Sequence, residues 1–168
     1  MQDFLNITLP AVIRKFPKGS IWQTRYICFP VALVAASLAF SHSSIAPLVR
    51  IAWFTLGLAA WTLLEYILHR WVLHYQPISE AGRALLERLH ITHHEVPNDQ
   101  TQVCIPTYLA FIGWGLLFLA FVIPGGGRDA SLLVTTGIAV MMATYDLAHY
   151  SAHYMPATNQ LLKVLKKN

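Results

Sequence analysis

The stretch that decides the fold runs from Val103 to Ile123, VCIPTYLAFIGWGLLFLAFVI, and contains 21 residues without a charge. A bilayer core about 30 Å thick needs about 20 apolar residues for each helical crossing. Three further apolar runs lie at residues 27–40, 51–68 and 130–145, and Glu65 is their one charged residue. The pattern therefore predicts an all-α, multi-pass integral membrane protein with about four transmembrane helices.

The composition agrees with a chain whose main solvent is lipid. Hydrophobic residues make up 55% of the sequence and charged residues only 12%, whereas soluble domains carry about 25% charged residues. A length of 168 residues predicts one domain spanning 1–168. The two cysteines, Cys28 and Cys104, form no CxxC pair, so we interpret them as buried thiols rather than as a disulfide framework or a zinc finger.

The positive charges are distributed unevenly between the two sides that four crossings define. The N-terminal segment, residues 69–102 and the C-terminal tail share one side and hold ten of the twelve Lys and Arg residues, whereas Arg50 and Arg128 lie opposite. Such asymmetry is typical of a cytoplasmic face. Membrane orientation therefore explains the net charge of +4, and we expect no nucleic-acid partner.

Seven of the eight histidines fall into three groups on this basic side. They are His69 and His74; His90, His93 and His94; and His149 and His153. The eighth, His42, stands alone, and we interpret it as a loop residue. Spacings of three and four residues place side chains on one face of a helix. His69 and His74 are five residues apart, so in a regular helix their directions diverge by about 140°. We expect the helix to end or bend near His74, just before Pro77.

Clustered neutral imidazoles are good ligands for iron, zinc, copper and nickel. Seven of them exceed the four ligands of a closed zinc site, which favours two metal ions in a cytosolic histidine-rich cap. Separate surface histidines are the plain alternative. Haem bound between paired spans fits poorly, because the histidines lie at helix ends. A metal transporter would need ligands near the bilayer midplane, where these spans offer none.

The three motifs together resemble a known set. HRWVLH (69–74), HITHH (90–94) followed by VPND, and DLAHYSAH (146–153) are similar to the histidine boxes of the fatty acid hydroxylase / sterol desaturase superfamily, and closest to its fatty acid 2-hydroxylase branch. The resemblance implies a membrane enzyme that hydroxylates a lipid acyl chain at a cytosol-facing di-iron site. It implies that the metal ligands are His69, His74, His90, His93, His94, His149 and His153.

The same resemblance implies the partners of the reaction. The family uses O₂ and two electrons, with two iron ions as the cofactor, although zinc could occupy the site in a purified form. No cytochrome b5-like segment precedes the first apolar run, so we expect a separate electron donor of the cytochrome b5, ferredoxin or reductase type. Imidazole ligands need partners that fix their tautomer, and Glu65 and Asp146, four and three residues before a histidine, are the candidates.

The sequence departs from the family pattern at its C-terminal end. The family usually carries another HxxHH box after the third group, and this sequence stops at Asn168, about where that box would begin. We expect either a truncated chain or a natural short form. Two alternatives to the hydroxylase therefore stay open: a sterol or lipid desaturase on the same scaffold, and a catalytically inactive metal-binding membrane protein.

Overall fold

The computed structural model describes residues 19–91, 104–122 and 127–154, together with the isolated positions 156, 158, 160 and 163. Within these ranges every regular element is helical, which confirms the all-α prediction. The helices are α1 (Ile21–His42), α2 (Pro47–Leu73), α3 (Glu80–Leu86, continued by a π-helix over Glu87–Ile91), α4 (Thr107–Phe121) and α5 (Arg128–Tyr154).

Three of these helices are long and apolar enough to cross a membrane: α1, α2 and the Arg128–Ala152 part of α5. The fourth apolar helix, α4, has 15 residues and a length of about 22 Å, from a rise of 1.5 Å per residue. It is shorter than the Val103–Ile123 run because Pro106 is its N-cap residue and residues 123–126 lie outside the described part. A fourth crossing therefore stays a prediction.

Hydrogen bonds at the helix ends show that the long helices alternate in direction. The backbone N–H and the hydroxyl of Ser44, between α1 and α2, both donate to Asp129 at the start of α5, at 2.7 and 2.8 Å. At the other end, Thr24 near the start of α1 donates to Asp146 near the end of α5, at 3.0 Å. The histidines of α2 and α5 therefore lie at the same end of the bundle.

Helix α5 lies at the centre of the bundle. Its most apolar window is 67% buried, against 28% in α1 and 11% in α2. It meets α2 at a pair of glycines: a Cβ added to Gly57 would lie 2.2 Å from the Val134 carbonyl oxygen, and one added to Gly137 would lie 2.3 Å from the Phe54 carbonyl oxygen. Small residues let membrane helices approach this closely.

The outer helices present apolar side chains to their surroundings. Helix α1 turns Ala32, Ala36 and Ala39 inward, whereas large side chains such as Val34 (60%) and Leu63 (63%) are mostly exposed. Apolar exposure on this scale marks a surface covered by another apolar phase, which in this fold is lipid.

The two ends of α1 refine the sequence predictions. The helix begins at Ile21 and includes Trp22 and Tyr26, whose rings are exposed and stacked 5.8 Å apart, as expected of residues that extend the first span at the headgroup level. We predicted His42 as a loop residue, and that is wrong. It is the last residue of α1, because the helix continues until Ser43 adopts an extended conformation.

Candidate metal centre

A π-turn brings the first two histidines together. Helix α2 changes from α to π geometry over Leu68–Leu73, and in a π-turn the hydrogen-bonded residues are five apart, so they lie one above the other. His69 Nε2 and His74 Nε2 are 3.3 Å apart. The π-turn therefore brings together two histidines that a regular α-helix would separate. The helix ends at Leu73 with His74 as its C-cap residue, as predicted.

His90 joins the pair from α3. Ser79 caps the start of this helix, and its hydroxyl accepts a hydrogen bond from Gly82 N at 3.2 Å. The helix continues as a π-helix over Glu87–Ile91, which includes His90. His90 is buried, at 5% exposure, and its Nε2 lies 3.3 Å from His74 Nε2. One ring nitrogen from each of His69, His74 and His90 lies within 4.8 Å of the others.

Glu65 fixes the outer face of His69. Its Oε1 lies 3.5 Å from His69 Nδ1, one helical turn away. The Tyr145 hydroxyl of α5 lies near the same carboxylate, and the Tyr145 ring contacts the ring of His149 edge to face at 5.6 Å. Carboxylates in this position set the tautomer of metal-binding imidazoles, so the contact agrees with the partner that the spacing predicted for His69.

Asp146 connects three parts of the chain beside the centre. It is 2% exposed, and it accepts hydrogen bonds from the Thr24 hydroxyl at 3.0 Å and from the Ile105 backbone N–H at 3.3 Å. These bonds hold α5 against α1 and against the segment before α4. The orienting role toward His149 that we predicted for Asp146 stays a prediction.

A cavity of about 290 Å³ lies against the histidines, between α2, α4 and α5. His69, His90 and His149 line it, so the third histidine group shares the space with the first two. Its walls are mostly apolar or aromatic. The other lining residues are Trp61, Glu65, Leu68, Leu73, Cys104, Ile105, Pro106, Leu109, Tyr145 and Asp146.

Cys104 contributes a neutral thiol to this wall. Burial raises the pKa of the Cys104 thiol to about 12, and the nearby Asp146 carboxylate adds to the rise. At neutral pH the group is therefore protonated, and its low reactivity follows from the missing thiolate. Both cysteines are buried and unbridged, which confirms that they form no disulfide.

The structure describes part of the predicted ligand set. It brings together His69, His74 and His90 and places His149 on the same cavity. His93 and His94 lie outside the described residues, and for His153 only the backbone position in α5 is described. Sequence reasoning did not single out Tyr145, although it is four residues before His149, or Thr24, for which the sequence carries no signal because its partner is 122 residues away.

Comparison with known proteins agrees with this arrangement. The model of the fatty acid hydroxylase family matches residues 54–168, which include all three histidine groups. The chain belongs to the fatty acid hydroxylase family. Fatty acid 2-hydroxylase of Rattus norvegicus is 30% identical over 124 residues, and a dihydroceramide fatty acyl 2-hydroxylase of Arabidopsis thaliana is 28% identical over 151 residues.

These relatives are longer than the present chain. The matched region covers 71% of the chain and 32% of the rat protein, and 87% of the chain and 61% of the Arabidopsis protein. The fold is shared with a solved structure of full-length scs7p in which only the hydroxylase domain is visible. The TM-score is 0.77 at 24% identity, over 89% of this chain and 57% of that one.

Proposed function

We propose that this member of the fatty acid hydroxylase family hydroxylates the acyl chain of a membrane lipid. The observation that carries the proposal is the convergence of His69, His74 and His90, of which His69 and His90 line an apolar cavity. A set of metal ligands next to a hydrophobic pocket suits a reaction between O₂ and a C–H bond. The names of the relatives, which are fatty acyl 2-hydroxylases, favour attack at the carbon beside the carbonyl group.

The histidines present fit a transition metal. Their ring nitrogens are closer together than separate surface histidines need to be, and imidazole nitrogen is a preferred ligand of iron and zinc. We propose that His93, His94, His149 and His153 complete a site for two iron ions. When bound, the iron would activate O₂ with two electrons from a separate donor of the cytochrome b5, ferredoxin or reductase type.

The protein's own side chains would prepare the site for this chemistry. Glu65 Oε1, 3.5 Å from His69 Nδ1, would hold the ring proton on Nδ1, so that Nε2 would be the nitrogen that binds metal. The apolar wall of the cavity excludes water and aligns the acyl chain, which converts a flexible substrate into an oriented one. We further propose that the histidine end of the bundle faces the cytoplasm, where a soluble electron donor can reach it.

Metal analysis combined with product analysis tests the proposal. The full chain, expressed with iron and purified in mild detergent, should contain transition metal. The His74→Ala variant should lose most of this metal. The His42→Ala variant should keep it, because His42 lies at the end of the bundle away from the clustered histidines. With a reductase system and O₂, the wild-type protein should convert added lipid to a product with a hydroxylated acyl chain.

Each other outcome contradicts a defined part of the proposal. Wild-type protein without metal would eliminate the metal centre. Bound metal without any oxidised product would favour the inactive metal-binding alternative. A product with a new carbon–carbon double bond would favour the desaturase alternative on the same scaffold.

A further inference from the structure

One large side chain in the cavity wall lies well away from the histidines along α2. Trp61 lines the cavity together with Leu109, and so do His69 and His90. Trp61 precedes His69 by eight residues on α2, which corresponds to about 12 Å along the helix axis at 1.5 Å per residue. It precedes Glu65 by one turn, so the three side chains mark increasing depth along one side of α2.

Trp61 also belongs to the main buried core of the bundle. The ring is 6% exposed and belongs to the main buried cluster, where it lies with Ala110, Ile138 and Met142. Ile138 and Met142 lie further from the histidine end of α5 than Tyr145, which still lines the cavity. The open space therefore ends at the level of Trp61, and the core begins there.

Packing rather than hydrogen bonding holds the indole in this place. Its Nε1–H is buried and has no hydrogen-bond partner among the described residues. A buried donor without a partner is unfavourable, so the polar edge does not account for a tryptophan at this position. What the side chain supplies is a large apolar area, at the point where an acyl chain entering from the histidine end would meet the core.

We propose that Trp61 is a specificity-determining residue that limits the length of acyl chain accepted beyond the reacting carbon. The inference rests on the proposed function and deepens it, because it assigns the substrate-length limit to one side chain. Chains short enough to end above the indole ring bind fully inside the cavity. Longer chains must displace the ring or leave apolar carbons outside, and both reduce binding.

Truncation of Trp61 tests this directly in the full-length protein. Wild type, Trp61→Ala and the milder Trp61→Leu are given a mixture of saturated acyl lipids graded in chain length, and the chain lengths of the hydroxylated products are compared. We expect the ratio of longest to shortest product to rise by at least about tenfold in Trp61→Ala, the discrimination that a hydrophobic pocket achieves per methylene. Trp61→Leu should shift it in the same direction by less.

Trp114→Ala is the matched control. Trp114 also has a buried Nε1–H without a partner among the described residues, and it packs against the same cluster, but it does not line the cavity. The Trp114→Ala variant should leave the distribution of product chain lengths unchanged. It also removes one indole ring from the bundle, but it does not enlarge the cavity next to the histidines. An equal shift in Trp114→Ala would assign the effect to general loosening and overturn the proposal.

A binding measurement separates this inference from the proposed function. Saturated fatty acids graded in length are added to the purified protein, and bound lipid is counted by native mass spectrometry. Longer acids should bind Trp61→Ala better than wild type, whether or not any product forms. Absence of product with a shifted binding profile would count against the proposed reaction alone. An unshifted profile in both Trp61 variants would overturn the role of Trp61.

Discussion

At the scale of single residues, the sequence predicts contacts within one helix and misses contacts between helices. The spacing of Glu65 and His69 predicts their contact, because both lie on α2 and one turn separates them. Asp146 has an equally suggestive spacing, yet its described hydrogen bonds go to Thr24 and to the Ile105 backbone. Those partners depend on how α1 and the segment before α4 pack, which no local pattern records.

The Glu65 contact leads to a prediction about metal retention. Glu65→Gln removes the negative charge that holds the His69 Nδ1 proton, and loss of such a partner typically weakens metal binding by about 10- to 100-fold. We expect the variant to lose metal at correspondingly lower chelator concentration, as measured by metal analysis after dialysis. Glu80→Gln, at an exposed carboxylate in the first turn of α3, is the control and should behave as wild type.

At the scale of helices, the hydrophobic pattern locates the spans but not their geometry. The pattern places the first, second and last apolar helices correctly. The helix ends differ from the ends of the apolar runs, because capping residues and loops decide where a helix begins and ends. The pattern has no sign of the π-turn at Leu68–Leu73 except the histidine spacing itself. The five-residue spacing does not fit an α-helix, and it was informative for that reason. The backbone adopts a π-turn there, which brings both histidines to the site.

The contact between α2 and α5 leads to a prediction about stability. Gly137→Ala would place a Cβ 2.3 Å from the Phe54 carbonyl oxygen and 3.1 Å from Gly57 Cα, so the helices must separate. Overpacking of this kind costs roughly 1–3 kcal/mol. Unfolding in mild detergent, followed by circular dichroism during titration with sodium dodecyl sulfate, should show that loss.

A second glycine in a helix supplies the control for this measurement. A Cβ at Gly113 in α4 would meet nothing within 4 Å, so Gly113→Ala should be neutral or stabilising by up to about 1 kcal/mol, the difference in helix propensity. Equal destabilisation by both substitutions would mean that the close approach of α2 and α5 contributes nothing specific.

At the scale of the whole molecule, the up-and-down order of apolar helices was predictable and the central position of α5 was not. Run length and the absence of charge gave no reason to bury one run rather than another, and the 67% burial of α5 depends on the glycine contact and on the alanine face of α1. The charge asymmetry predicts which end faces the cytoplasm. That orientation is open to experiment.

Orientation can be measured by labelling single cysteines from one side of the membrane. In a Cys28→Ala, Cys104→Ala background, Ile78→Cys lies between α2 and α3 at the histidine end, where Ile78 is 92% exposed. Ala46→Cys lies at the other end, between α1 and α2. A membrane-impermeant maleimide added to intact cells should label only Ala46→Cys, and Ile78→Cys should react after the cells are opened. The reverse order would refute the predicted orientation.

The π-turn also constrains how this protein can change over evolution. Deleting one residue between His69 and His74 would leave them four apart, a spacing that keeps both on one face if α2 continues as an ordinary helix. Inserting one residue would turn the second imidazole away from the first in either helix geometry. Exposed side chains in the same turn, such as Trp71 and Val72, can be exchanged without that effect. Natural variants should therefore tolerate substitutions between these two histidines, whereas selection removes insertions and admits a deletion only together with loss of the π-turn. The length of the interval is under stronger constraint than its composition.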